Sequence, residues 1–212
     1  MNPPRYLTSL YYYPNRPSLV SADPDNPLHP KPDYINSLEK QGRYIAEQKY
    51  NGDNCQLYVK GGREYEFWNR HKTLLKYQPS QDVLNELEQL PEYSIINVEL
   101  IHSKTKAFKH ILIAHCIMVW DGQLLSGKTW SDSRQILQTI KSGNHLYVSD
   151  VYQSGFWDLF KQADGSVIEG IILKDPEGKL VYSTTPIKDV SWMMKIRVPS
   201  MRDDGTMKKY AF

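Results

Sequence analysis

The run Ile111 to Trp120, ILIAHCIMVW, constrains the fold of this chain most strongly. It is β-prone and too apolar to turn either face to water, which predicts a central strand. A membrane span takes about 20 apolar residues, and no run in the chain approaches that. Asp121-Gly122 closes the run with a turn, and Tyr93 to Ile101 offers a second β-rich segment.

The other segments arrange themselves around such a strand. Tyr44 to Tyr50 reads as a short strand carrying Lys49, Gly52 as a turn that needs unusual backbone freedom, and Asn54 to Tyr58 as a second strand. Lys49 is therefore expected at the mouth of a hairpin. Gln56 to Lys60 turns at Gly61-Gly62 and pairs with Tyr65 to Trp68. Helices are predicted over Ile35 to Gln41, from a Ser80 cap to Leu90 before Pro91, from a Ser131 cap to Ile140, and over Gly155 to Lys161. Further strands are predicted over Leu146 to Val151, Gly170 to Lys174, Lys179 to Tyr182 and Ser191 to Val198. Eight of the 13 prolines and the cluster Tyr11-Tyr12-Tyr13 fall in residues 1–33, which suggests an extended arm pinned by aromatics rather than regular structure. The expected organisation is an arm over 1–40, one domain over 41–198 and a polar tail over 199–212.

Composition narrows the class. A chain of 212 residues with 40% hydrophobic content can bury a good core as one domain. A net charge of +2 argues against a surface that binds nucleic acid indiscriminately and leaves room for a local basic groove. Cys55 and Cys116 each fall inside a strand without a close metal-ligand neighbour, so they are read as reduced core thiols. The start, Met1-Asn2-Pro3-Pro4-Arg5, lacks the apolar core of a signal peptide, and the expected address is the cytoplasm. A lysine such as Lys49 is ordinarily a solvated edge charge. It becomes a nucleophile when burial or neighbouring cations lower its pKa, so the partners decide.

Six segments supply candidate partners: Lys49-Tyr50-Asn51-Gly52, Phe67-Trp68-Asn69-Arg70, Asn97-Val98-Glu99-Leu100, the strand Ile111 to Gly122, Glu169-Gly170-Ile171-Ile172-Leu173-Lys174, and Trp192-Met193-Met194-Lys195-Ile196-Arg197. In order and rough spacing they resemble the covalent nucleotidyltransferase superfamily, which includes ATP-dependent DNA ligases, RNA ligases and mRNA capping enzymes. The resemblance covers about residues 44–198. It implies an α+β nucleotidyltransferase domain, two antiparallel sheets flanked by helices, with the nucleotide between them and Lys49 on its floor.

The resemblance also implies roles. Lys49 would take AMP from ATP as a lysyl-AMP phosphoramidate, with Lys174 and Lys195 on the α-phosphate, where their charges favour the neutral amine. Arg197 stands where many members have a second lysine, and its guanidinium can still meet phosphate. Glu169 would bind the catalytic magnesium or manganese, and Glu99 the ribose or metal, since hard divalent cations accept few carboxylates. Arg70 matches an arginine that acts on the ribose or phosphates, with Asn69 in place of a serine. Gln48 and Asn54 join the cofactor-binding set. The base-stacking residue is His115 or Trp120, and the two lie at an odd separation that puts them on opposite strand faces.

Departures shift the acceptor. DNA ligases mostly read Lys-x-Asp-Gly-x-Arg, whereas Asn51 and Asn54 here are closer to bacteriophage-type RNA ligases and RNA-editing ligases. RNA strand ends are the favoured partner and DNA the alternative; a GTP-using capping enzyme and a non-catalytic nucleotide-binding module are the other readings. Arg63, Lys72, Lys76, Lys104, Lys106 and Lys109 are candidates for a strand groove. Members of the superfamily continue into an OB-fold or helical clamp domain, for which the stretch after Val198 is too short. A stand-alone domain, or one that borrows a clamp from a partner protein, is expected.

Overall fold

A computed structural model describes residues 5–20, 32–104 and 108–198. In chain order these form a 3-10 turn (Arg5–Ser9), β1 (Arg16–Leu19), α1 (Pro32–Lys40), β2 (Ile45–Tyr50), β3 (Asp53–Val59), β4 (Tyr65–Asn69), α2 (Gln81–Leu87) and β5 (Ser94–Ile101). There follow β6 (Ile111–Trp120), β7 (Gln123–Leu124), α3 (Trp130–Leu137), β8 (Leu146–Val148), α4 (Phe156–Lys161), β9 (Ile168–Lys174) and β10 (Asp189–Arg197). The described parts of 1–16, 52–149 and 176–190 form one compact unit, and those of 17–51, 150–175 and 191–212 a second. Lys106 and the tail from Pro199 lie outside the described residues.

The first unit is built on a sheet ordered β4-β3-β5-β6-β7, with β8 added parallel to β6. As the apolar run requires, β6 has strands on both sides. Asp121 and Gly122 adopt φ of 46° and 70°, the left-handed pair that a two-residue hairpin from β6 to β7 demands. The cap of α3 differs from the expected Ser131. Thr129 accepts from the Asp132 N–H at 3.0 Å while Asp132 accepts from the Thr129 N–H at 2.7 Å. This reciprocal box captures the helix start two residues earlier. Lys179 to Tyr182 makes an isolated bridge to Thr129 instead of a strand, because the segment beside it enters α3 at once.

The second unit carries a sheet ordered β1-β10-β9-β2. One face is apolar: Ala46, Ile171, Leu173 and Ile196 pack with Ile35 and Leu38 of α1 and with Phe156, Leu159 and Phe160 of α4. Glu39 of α1 accepts from the backbone N–H groups of Gly155 and Phe156 at 3.0 and 2.9 Å. It satisfies two otherwise orphaned donors at the start of α4 with a negative charge on the favourable end of the helix.

Two expectations change. The stretch around Lys49 is not a hairpin: β2 pairs with β9 and β3 with β4 and β5, so the chain passes from one sheet to the other at Asn51-Gly52. The arm is also partly regular, since it contains the 3-10 turn and β1. Its tyrosines anchor it: Gln56 Nε2 donates to the Tyr11 hydroxyl at 3.0 Å, and that hydroxyl donates to the Asn69 carbonyl at 2.8 Å.

Candidate functional site

The central strand β9 organises the lysine set. Directly opposed residues in antiparallel strands share a face, so register defines three rows across β2, β9 and β10: Lys49, Gly170, Arg197; Glu47, Ile172, Lys195; Ile45, Lys174, Met193. Successive rows lie about 6.6 Å apart, two residues along a strand. All these side chains rise from the face opposite the apolar core. The ladder shifts register between Lys49 and Tyr50, which face Gly170 and Ile168, leaving Glu169 as an extra residue. Such a bulge re-aims a side chain, and here Glu169 accepts from Lys49 Nζ through Oε1 and from Arg197 Nη2 through Oε2.

Gly170 makes that convergence sterically feasible. It has φ of 147°, and a Cβ there would collide with the Ile196 carbonyl. Burial pushes the Glu169 carboxyl up, but the charges and hydrogen bonds of Lys49 and Arg197 outweigh it and hold it below the ordinary 4.5.

Lys174, expected on the α-phosphate, is paired with a buried acid. It is 2% exposed and its ammonium lies 2.8 Å from Glu47 Oε1, an acid the sequence reading did not single out. Leaving Glu47 to meet a phosphate would strand a buried charge, at about 3–5 kcal/mol. Lys195, half-buried, shares its row with Glu47 and stands one row from Lys49 and Arg197. Gln48 points to the other face from Lys49 because strand side chains alternate. Its amide is bonded to Gln162 at 3.1 Å and accepts from Tyr50 at 2.9 Å.

The acid set belongs to the first unit. Asn54, Glu99 and Ile113 form one row across β3, β5 and β6. Glu99 Oε1 accepts from the Gly52 N–H at 2.9 Å, and its Oε2 lies 3.5 Å from Asn54 Nδ2, which is also 3.2 Å from His115 Nε2. The ladder skips His115 between Cys116, opposite Asn97, and Ala114, opposite Val98, so His115 too is a bulge residue. A second skip at Met118 interrupts the alternation between His115 and Trp120, and counting residues does not fix their relative faces.

Gly52 serves close approach rather than unusual backbone freedom. It is absent from the positive-φ residues, and a Cβ there would stand 2.7 Å from the Leu100 carbonyl oxygen and 2.8 Å from Glu99 Cγ.

Arg70 is exposed after β4, and its hydrogen bond runs to its neighbour His71 at 3.2 Å rather than to Asn54, Glu99 or His115. The basic groove candidates are dispersed. Arg63 donates to the carbonyls of Glu88 and Leu90 at the end of α2, Lys104 to the Gly52 carbonyl, and Lys109 to the His102 carbonyl. Lys76 lines a cleft of about 510 Å³ with Tyr77, His102 and His110. Both cysteines are free. Among the described residues no three His, Cys, Asp or Glu side chains cluster for a metal, and no helix is long and apolar enough to cross a membrane. A magnesium ion on a nucleotide needs only one or two protein carboxylates beside phosphate and water, a demand that Glu169 can meet.

The fold is that of the nucleotidyltransferase domain of ATP-dependent ligases. The chain is similar to the ligase domain of LigD from M. tuberculosis (TM-score 0.58, 14% identity), covering 89% of this chain and 59% of that one. It is similar to a mycobacterial DNA ligase D complexed with ATP and MES (0.55, 15%; 91% and 62%) and to the ATP-dependent DNA ligase of bacteriophage T7 in complex with ATP (0.51, 14%; 89% and 69%). The chain thus spans about three fifths of the length of the two mycobacterial domains. No protein-family model and no curated protein matches the sequence.

Proposed function

We propose that this chain is an ATP-dependent polynucleotide ligase, favouring RNA, that works through AMP bound covalently to Lys49. The observation that carries the reading is the convergence of Lys49 and Arg197 on the bulged Glu169, within a ligase-type fold.

Lys49 must give a proton to solvent and leave Glu169 before its nitrogen can attack. It then bonds to the α-phosphorus of ATP as the bond to pyrophosphate breaks. Arg197 in the same row and Lys195 one row away are assigned to the developing phosphate charge. Lys174 is assigned to hold Glu47 in place rather than to touch phosphate. Glu169 is the assigned ligand for magnesium or manganese, which would supply positive charge to the phosphates and compete with the two cations for the carboxylate. Glu99, fixed by Gly52 and Asn54, is assigned to the ribose, and His115 to the base. AMP would then pass to a 5′-phosphate end, and a 3′-hydroxyl would displace it to seal the strand.

Asn51 and Asn54 favour RNA, and matched nicked duplexes test that choice. With ATP and magnesium, the RNA nick should be sealed at least about 10-fold faster than the DNA nick, on the order of the 1.4 kcal/mol that one well-placed polar contact contributes. Faster sealing of DNA would reassign the acceptor. Failure both to join strands and to transfer AMP to either 5′ end would overturn the ligase reading.

A further inference from the structure

The row of the first sheet next to Glu99 contains Gln56, Asn97 and Cys116, on the same face as Asn54 and Glu99 because opposed residues share a face and strand side chains repeat every two. Both ends of this row are occupied. Gln56 donates to the Tyr11 hydroxyl at 3.0 Å and accepts from Tyr58 at 3.4 Å, while Cys116 Sγ is 3.1 Å from the Tyr182 hydroxyl. Asn97 between them is 5% exposed, and its Oδ1 is buried without a hydrogen-bond partner. A buried, unpaired carbonyl oxygen is costly and uncommon, and a ligand that brings a donor removes the cost.

We infer that Asn97 reads the edge of the adenine, its Oδ1 accepting from the exocyclic N6 amine; the inference rests on the ATP reading proposed above. The spacing suits it. Asn97 lies two residues from Glu99, about 6.6 Å along the strand, comparable to the span from a ribose to the far edge of its purine. The His115 bulge falls between the Asn97 and Val98 rows, so a ring that can stack on a base stands beside a polar group that can read its edge. The orphan atom is an acceptor and needs a donor. Adenine presents an amine at that position, guanine presents a second acceptor, and an unsubstituted purine presents neither.

The test compares formation of the covalent nucleotidyl-protein from ATP, GTP and purine riboside triphosphate in the wild type, Asn97→Ala and the volume-matched Asn97→Leu. Wild-type protein should favour ATP over the other two by about 5- to 150-fold. Both variants should lose that preference, their use of ATP falling to the level of purine riboside triphosphate, which itself is unaffected. Asn97→Leu should melt no lower than wild type without ligand, since it removes an unsatisfied polar atom. A binding measurement that needs no variant accompanies these: adenosine should raise the wild-type melting temperature more than purine riboside does. Unchanged preference in a folded variant, or equal shifts by the two nucleosides, would overturn the role of Asn97 while lysine labelling by ATP still stood. Labelling by no nucleotide at all would remove the ATP reading itself and this inference with it.

Discussion

Glu169 is held by two cations, and that arrangement has a measurable acid signature. Its carboxyl lies below the ordinary 4.5 in the folded protein. The stability it contributes is therefore fully present above the unfolded value and drains as pH falls below 4.5 toward the folded value. Glu169→Gln should show a shallower loss of stability over that acid range, measured by urea denaturation at a series of pH values; a slope identical to wild type would contradict the pairing. At the buried pair, Lys174→Ala should cost about 3–5 kcal/mol because it strands the Glu47 charge, and Lys174→Met with Glu47→Leu should recover most of it. If the single variant is as stable as wild type, the phosphate role first expected of Lys174 returns.

At the scale of elements, strands signalled by apolar runs were legible and their pairing was not. The composition of Ile111 to Trp120 announced a central strand, and the spacing of Val83, Leu84 and Leu87 announced α2 with its Ser80 cap. The split of β2 and β3 between two sheets was hidden, because both flank a glycine in the pattern that a hairpin also shows. The bulges at Glu169 and His115 were hidden for a related reason: an extra residue breaks the two-residue period without changing residue type. Short motifs singled out Lys49, Glu99, Glu169, Lys174, Lys195 and Arg197 as candidates. They could not show that Lys174 is committed to Glu47, a relation between residues 127 positions apart. The apolar face of the second sheet depends on α4, whose Phe156 is fully buried. Phe156→Ala should lower unfolding free energy by about 3–5 kcal/mol in denaturant titration; a loss below about 1 kcal/mol, the range of ordinary surface changes, would mean that α4 does not carry this core.

For the whole molecule, the lysine set on one unit and the acid set on the other are each drawn from segments far apart in sequence, and Asn51-Gly52 is one of the points where the chain passes between the units. The fold accounts for that distribution, since strand register puts each set on one face of its sheet and bulges at Glu169 and His115 re-aim those two residues. In the proposed mechanism the chemistry begins at Lys49 Nζ. This is tested by incubating the protein with ATP and magnesium, measuring intact mass, and mapping any adduct by peptide sequencing beside Lys49→Ala. A gain of one AMP, located on Lys49 and absent from the variant, is expected. An adduct on another residue, or none in folded wild-type protein, would contradict it.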